Sequence, residues 1–227
     1  MLFLRMKRIC LSFFPGLLFV YLSAQVPVSK EPRHHVVFTN EKVRVLNVLL
    51  PPGDTTLYHL HSTPSVFIML SATRTGSQLI NERAAYSNSV TGNIFFENLS
   101  APHTRTHRVW NADTSIFHVI DVELLSDNPG SMQAPLIIPH VQLLADTPWV
   151  TNYKIGLKKT ETVFIHEMNR SFILIAINNT AVDIRQNGKQ LKETIQAGSF
   201  LWLKPGDTIS IENHQNTIAL FALLEIK

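Results

Sequence analysis

The sequence predicts an all-β protein built as two successive barrels or sandwiches, and three observations predict it. Beyond the first two dozen residues, short runs of β-branched and aromatic residues alternate with turn residues. No stretch sustains the 3.6-residue apolar period of an amphipathic helix. The order of elements in the second half echoes that in the first, across a Pro- and Gly-bearing break.

Taken in order, strands are expected over 43–50, 56–61, 66–70, 93–96, 107–110 and 115–125. From Ser126 to Pro139 the chain reads Asp-Asn-Pro-Gly-Ser with two further prolines, which breaks any ladder and suits a linker. Beyond it, strands are expected over 150–155, 163–166, 172–177, 182–185, 200–203, 208–211 and 217–226. The divisions that follow are 33–125 for a first barrel, 126–140 for the linker and 141–227 for a second barrel. Sliding one half on the other sets Val66–Leu70 against Ser171–Ile175, and His61 over His166. In that register Phe164 replaces His59 and Glu212 falls over His107, so the second barrel is expected to be degenerate.

The chain opens with Arg5, Lys7 and Arg8, followed by an apolar run over 9–21 and Leu22-Ser23-Ala24, the three-part pattern of a secretory signal peptide over 1–24. Pro15-Gly16 interrupts the run, which falls short of the ~20 apolar residues of a spanning helix. Cleavage near Ala24 is expected, giving an exported protein, periplasmic or secreted, with no stable membrane anchor. Lys and Arg total 20 and Asp and Glu 17. Three of the bases leave with the signal, so the mature chain is formally neutral and no basic patch points to nucleic acid. The single cysteine, Cys10, leaves as well, so the packed core must stabilise the fold without disulfides.

Chemistry is concentrated in two segments. In Gly53-Asp-Thr-Thr-Leu-Tyr-His-Leu-His61, a strand's period of two sends His59 and His61 to one face. Leu57, in phase with them, predicts that this face looks into an apolar interior. In Pro102-His-Thr-Arg-Thr-His-Arg-Val-Trp-Asn111, a turn leads into a strand that carries His107 and Val109 on one face. These segments resemble the paired motifs of the cupin superfamily, Gly-x5-His-x-His-x3,4-Glu-x6-Gly and Gly-x5-Pro-x-Gly-x2-His-x3-Asn. Gly53, His59, His61, Pro102, His107 and Asn111 fall on motif positions. Ser65 or Val66 stands at the glutamate position, and Phe96 and Thr104 replace glycines.

The resemblance implies two tandem jelly-roll cupin barrels, with a divalent metal bound in the first by His59, His61 and His107 and no carboxylate ligand. Three-histidine cupins include thiol and diketone dioxygenases that use ferrous iron, so iron is the first expectation, with zinc, copper and nickel open. Losing the carboxylate makes manganese less suited. Three imidazoles leave coordination positions for a small-molecule substrate, which makes a metal-dependent dioxygenase the leading function. A barrel that binds a sugar or other small ligand without catalysis, and a structural pair of barrels able to form a homodimer, are the alternatives.

Secondary candidates follow from phase and position. His118, in phase with Ile120 and Val122, is a candidate acid or base pointing inward, or else a core histidine. Arg105, before His107, is a candidate clamp for an anionic substrate, or else a solvated arginine. Tyr58 and Leu60 should face away from the histidine pair. His34, His35 and His103 are expected at the surface, and His166 is not expected to bind metal.

Overall fold

The computed structural model describes residues 25–126, 130, 134–166 and 168–227. The expected signal peptide lies outside the described residues. No helix among them is long and apolar enough to cross a membrane.

The first half forms two five-stranded sheets. One, in spatial order, joins β1 (Val26–Pro27), β4 (His59–His61), β9 (Arg105–Asn111), β6 (Arg74–Leu79) and β7 (Ala85–Asn88). The other joins β2 (His34–Thr39), β3 (Val43–Leu50), β10 (Phe117–Leu124), β5 (Ser65–Met69) and β8 (Ile94–Glu97). In the second half, one sheet is ordered β11 (Val141–Asp146), β12 (Val150–Leu157), β19 (Ala219–Ile226), β14 (Ser171–Ala176), β17 (Phe200–Leu203). Its companion is ordered β13 (Thr162–Ile165), β18 (Ile209–Asn213), β15 (Thr180–Gln186), β16 (Lys189–Ile195). The two strand orders superimpose element by element, save that β1 has no counterpart among the described residues. The first barrel also begins before the expected residue 33, because β1 and a 3-10 turn over Val28–Lys30 already pack against it.

One pair of asparagines fixes the correspondence between halves. Asn111 donates its amide to the carbonyls of Leu50 and Ser115 and accepts the amide of Asp113. Asn213 does the same with Leu157, Thr217 and Gln215. Leu50 pairs with Phe117 and Leu157 with Ala219, so the ladders β3–β10 and β12–β19 are in matched register. Following those ladders places Val66 over Ile173, two residues away from the expected Ser171. Strand phase is preserved by a two-residue slip, which is why the wrong register reads plausibly from sequence.

Three apolar clusters result. Val28, Leu46, Val48, Leu50, Phe117 and Val119 lie inside the first barrel. A larger set including Tyr153, Ile155, Leu157, Ile165, Ile209, Phe221 and Leu223 fills the second. Between the barrels, Val45, Val66, Ile68, Ile120 and Val122 meet Ile173, Ile175, Ala222 and Leu224, sheet against sheet. Burying each such side chain stabilises by ~1.5–3 kcal/mol relative to exposing it. Both faces of the central sheets are therefore apolar, which explains their near-continuous hydrophobic runs.

Candidate metal centre

The chain turns at Pro51-Pro52-Gly53, where Gly53 takes φ +77°, a conformation costly for any residue with a Cβ, and donates its amide to Asn111. Six residues later β4 runs antiparallel to β9, with His59 opposite His107 and His61 opposite Arg105. His59 and His61 are almost fully buried, at 0% and 3% exposure. Their ring centroids lie 5.0 Å apart, and His107 lies 4.7 Å from His59 and 5.1 Å from His61. The three histidines expected from sequence are thus brought together.

Two of the rings are held from behind through Nδ1, and the third has a buried carboxyl just beyond hydrogen-bond reach. His59 Nδ1 donates to the Leu57 carbonyl at 2.9 Å, leaving Nε2 buried without a partner among the described residues. His107 Nδ1 lies 3.3 Å from Ser77 Oγ, and His61 Nδ1 lies 3.6 Å from Asp121 Oδ2. The Nε2 atoms of His61 and His107 face each other at 3.1 Å. Outer groups that fix one ring nitrogen and free the other are the usual support of a metal-binding imidazole.

Burial, and then the neighbouring imidazoles, keep the rings neutral. Desolvation followed by the neighbouring imidazole of His34 pushes His59 down to about 4. Desolvation followed by His59 pushes His107 down to about 3, and desolvation followed by His107 pushes His61 down further still. Asp121 moves the other way, held well above the usual carboxylate range by burial and then by Glu123. At 3.6 Å, Asp121 Oδ2 stands beyond hydrogen-bond reach of His61 Nδ1. Unprotonated imidazoles converging on one point, one of them with an orphaned buried nitrogen, fit a divalent cation.

Several expectations are corrected here. His34, expected at the surface, is 8% exposed and its ring centroid lies 4.5 Å from that of His59. One nitrogen from each of His34, His59 and His61 falls within 4.8 Å of the others. Its signal in the sequence was Glu31, three residues before it, whose Oε2 lies 2.6 Å from His34 Nδ1. His35 and His103 are exposed, as expected. Leu57 is 55% exposed rather than inward, because it precedes β4 and does not share the strand's alternation. Asp121 was not singled out, although two acids, Asp121 and Glu123, in the apolar run of β10 were a legible sign.

His118 does lie in phase with Ile120, but that face of β10 meets the second barrel, not the centre. Its Nε2 lies 2.8 Å from Asn47 Oδ1 and its ring packs against Gly198. Both faces of β10 are buried, so phase alone could not choose between them. Arg105 is engaged by Glu97 through two hydrogen bonds, at 2.6 and 3.2 Å, which disposes of a free clamp. Tyr58 lies under the Arg108 guanidinium, 5.2 Å from ring centroid to Cζ. Ser65 is buried and donates to the Thr63 carbonyl at 3.3 Å, while Val66 faces the second barrel.

A cavity of about 430 Å³ opens beside the cluster, lined by His61, His107 and apolar side chains including Phe67, Met69, Phe95 and Phe117. In the second barrel, Ile165 and Ile209 pair where His59 and His107 pair, and both are fully buried. The expected Phe164 and His166 are instead exposed and stack on each other, and Glu212 pairs with Thr162 at the start of β13.

No family model matches the sequence, and no curated protein matches it. Solved structures do match in three dimensions. AerE from Microcystis aeruginosa is 10% identical, over 87% of this chain and 98% of its own, with a TM-score of 0.57. YhaK from Escherichia coli is 12% identical, over 85% and 90%, with a TM-score of 0.53. A salicylate 1,2-dioxygenase from Pseudoaminobacter salicylatoxidans in complex with gentisate is 10% identical, over 89% and 76%, with a TM-score of 0.61. Together with the duplicated strand order, these likenesses show that the chain has the tandem β-barrel fold of these proteins, the cupin-type fold expected from its motifs.

Proposed function

We propose that the protein is an exported metalloprotein whose first barrel binds a divalent metal, iron first, through His59, His61 and His107, and oxidises a small molecule in the manner of a dioxygenase. The observation that carries the metal is the convergence of neutral imidazoles around the orphaned Nε2 of His59. When bound, an iron ion would supply a centre able to activate dioxygen beside a coordinated substrate.

The chain's own residues define what can reach that centre. Phe67 and Phe95 stack at 5.3 Å on the cavity wall and present an apolar surface to an aromatic or aliphatic body. Glu97 pairs with Arg105 on the wall, so Arg105 is not free to clamp an anionic substrate. Leu57, through its carbonyl, and Ser77, on the cavity wall, hold the imidazoles of His59 and His107 in place. The bound gentisate of the salicylate dioxygenase likeness recommends phenolic compounds as one arm of a substrate search.

Protein purified without added metal, then offered iron, zinc, copper and nickel, should bind close to one equivalent by mass spectrometry. Oxygen uptake by the iron-loaded chain should rise with at least one member of thiol, diketone and phenol panels. A chain that stays metal-free would sink the whole reading. Metal uptake with uniformly null panels would leave a ligand-binding barrel. For export, the N-terminus of protein produced in a secreting host should lie near Gln25.

A further inference from the structure

The N-terminal strap of the first barrel opens with strand β1, which has no counterpart among the described residues of the second barrel, and the strap carries a fourth imidazole. Strand β1 runs parallel to β4, with Val26 opposite His59, and Val28 is buried inside the barrel. The chain then passes through Glu31, which is 2% exposed, and reaches His34 at the start of β2. Glu31 is fully occupied. Its Oε1 accepts the Leu57 amide at 3.0 Å, and its Oε2 accepts the Arg33 amide at 2.7 Å and meets His34 Nδ1 at 2.6 Å.

Leu57 in turn holds His59 through its carbonyl, so one carboxylate sets the positions of two neighbouring rings. Because Nδ1 of His34 is engaged, Nε2 is the nitrogen left for another partner. The ring centroids of His59 and His61 lie 4.5 and 6.3 Å from that of His34.

The duplication sharpens the point. His34 pairs with Val48, and the matching pair in the second barrel is Val141 with Ile155. Where the second barrel has Ile165 and Ile209 for His59 and His107, it has Val141 for His34. The same set of positions that is apolar in one barrel is imidazole in the other, and His34 belongs to that set. A histidine serving only to pair with Glu31 would need no such grouping.

We propose that His34 is a fourth nitrogen ligand of the centre, aimed by Glu31, so that the metal fastens the strap over 26–34 to the barrel. This rests on the metal-binding reading above and adds one residue to it. With a fourth imidazole in place of the family's carboxylate, the ligand set is neutral throughout, which favours ions with high affinity for nitrogen over manganese.

The test uses the full mature chain and cobalt(II), whose visible absorption reports ligand number and type. Titration of the wild type should give ligand-field bands and a dissociation constant. His34→Ala and His34→Gln should each weaken cobalt binding at least tenfold and shift the bands. Glu31→Gln should weaken it ~10-fold, as loss of a group orienting a ligand does. His35→Ala, an exposed neighbour, should change neither reading.

Hydrogen exchange supplies an independent readout. Metal should slow exchange of the amides over 26–34 in the wild type and have no such effect in either His34 variant. Melting curves of the metal-free proteins show whether the variants fold, and two substitutions of different size keep one collapsed variant from deciding the matter. His34 variants that bind cobalt with wild-type affinity and spectrum, while His59→Ala does not bind, would overturn the fourth ligand and leave the three-histidine centre intact. A wild type that takes up no metal would overturn both.

Discussion

The two barrels of this chain share strand order and an asparagine clasp, yet they spend their interiors differently. The second is filled by aliphatic and aromatic side chains, with Ile165 and Ile209 paired across its strands. The first has a smaller apolar cluster, a cavity of about 430 Å³ and buried imidazoles at the matching positions. A barrel does not need a filled interior to keep its topology when a companion sheet covers its back. The fold is set by ladders and by the apolar face between barrels, while the interior facing the open side is free to hold polar chemistry.

The sharpest way to break that comparison is to swap consequences between the halves. His107→Ala should abolish metal uptake, lowering affinity by more than ~100-fold. The metal-free variant should stay within ~1 kcal/mol of wild type in urea, because His107 already borders open space and, among the described residues, its one side-chain hydrogen-bond partner outside the cluster is Ser77 at 3.3 Å. Ile209→Ala should do the reverse. Metal stoichiometry should be unchanged, while stability falls by ~2–5 kcal/mol from the cavity left in a packed core.

Acid should separate the barrels next. Imidazoles that titrate near 6.5 when unfolded are pushed down to about 4 and about 3 at His59 and His107. Between those limits the unfolded chain binds more protons, so metal-free protein loses stability as pH falls below 6.5 and regains it on return. Urea midpoints at pH 7 and 5 measure this, and a His59→Phe, His107→Leu double variant should flatten the difference. Unchanged midpoints in the wild type would mean that the rings are more open to water than their burial indicates.

The smallest effect is a gain. Asn152 takes the place in the second barrel that Val45 takes in the first, within the face between barrels. It is fully buried, and neither amide atom has a hydrogen-bond partner among the described residues. Asn152→Val should raise stability by ~1–2 kcal/mol by removing desolvated groups, read as a higher thermal midpoint. No change would imply a bound water at that amide.

Much of this was legible in the sequence, and the misses have identifiable physical causes. The strands and the meeting of His59, His61 and His107 followed from period-two alternation and motif spacing. His34 was missed because its burial depends on a strap folding back over β4, which no local pattern encodes, although Glu31 hinted at it. His118 was placed on the wrong side because both faces of β10 are covered, so alternation gives the phase and not the direction. The internal register was wrong by two residues because an ungapped slide cannot accommodate loops of different length, and a slip of two preserves every inward and outward position.

The apolar face joining the barrels also determines how the protein behaves when scarce. Two separate single-barrel chains meeting through such a face would come apart on dilution, exposing Val66, Ile68, Ile173 and Ile175 to water. Here one backbone carries both partners, so their encounter is intramolecular and its strength depends on tether length rather than on protein concentration. At any dilution the histidine-bearing barrel stays covered, because the cover travels with it.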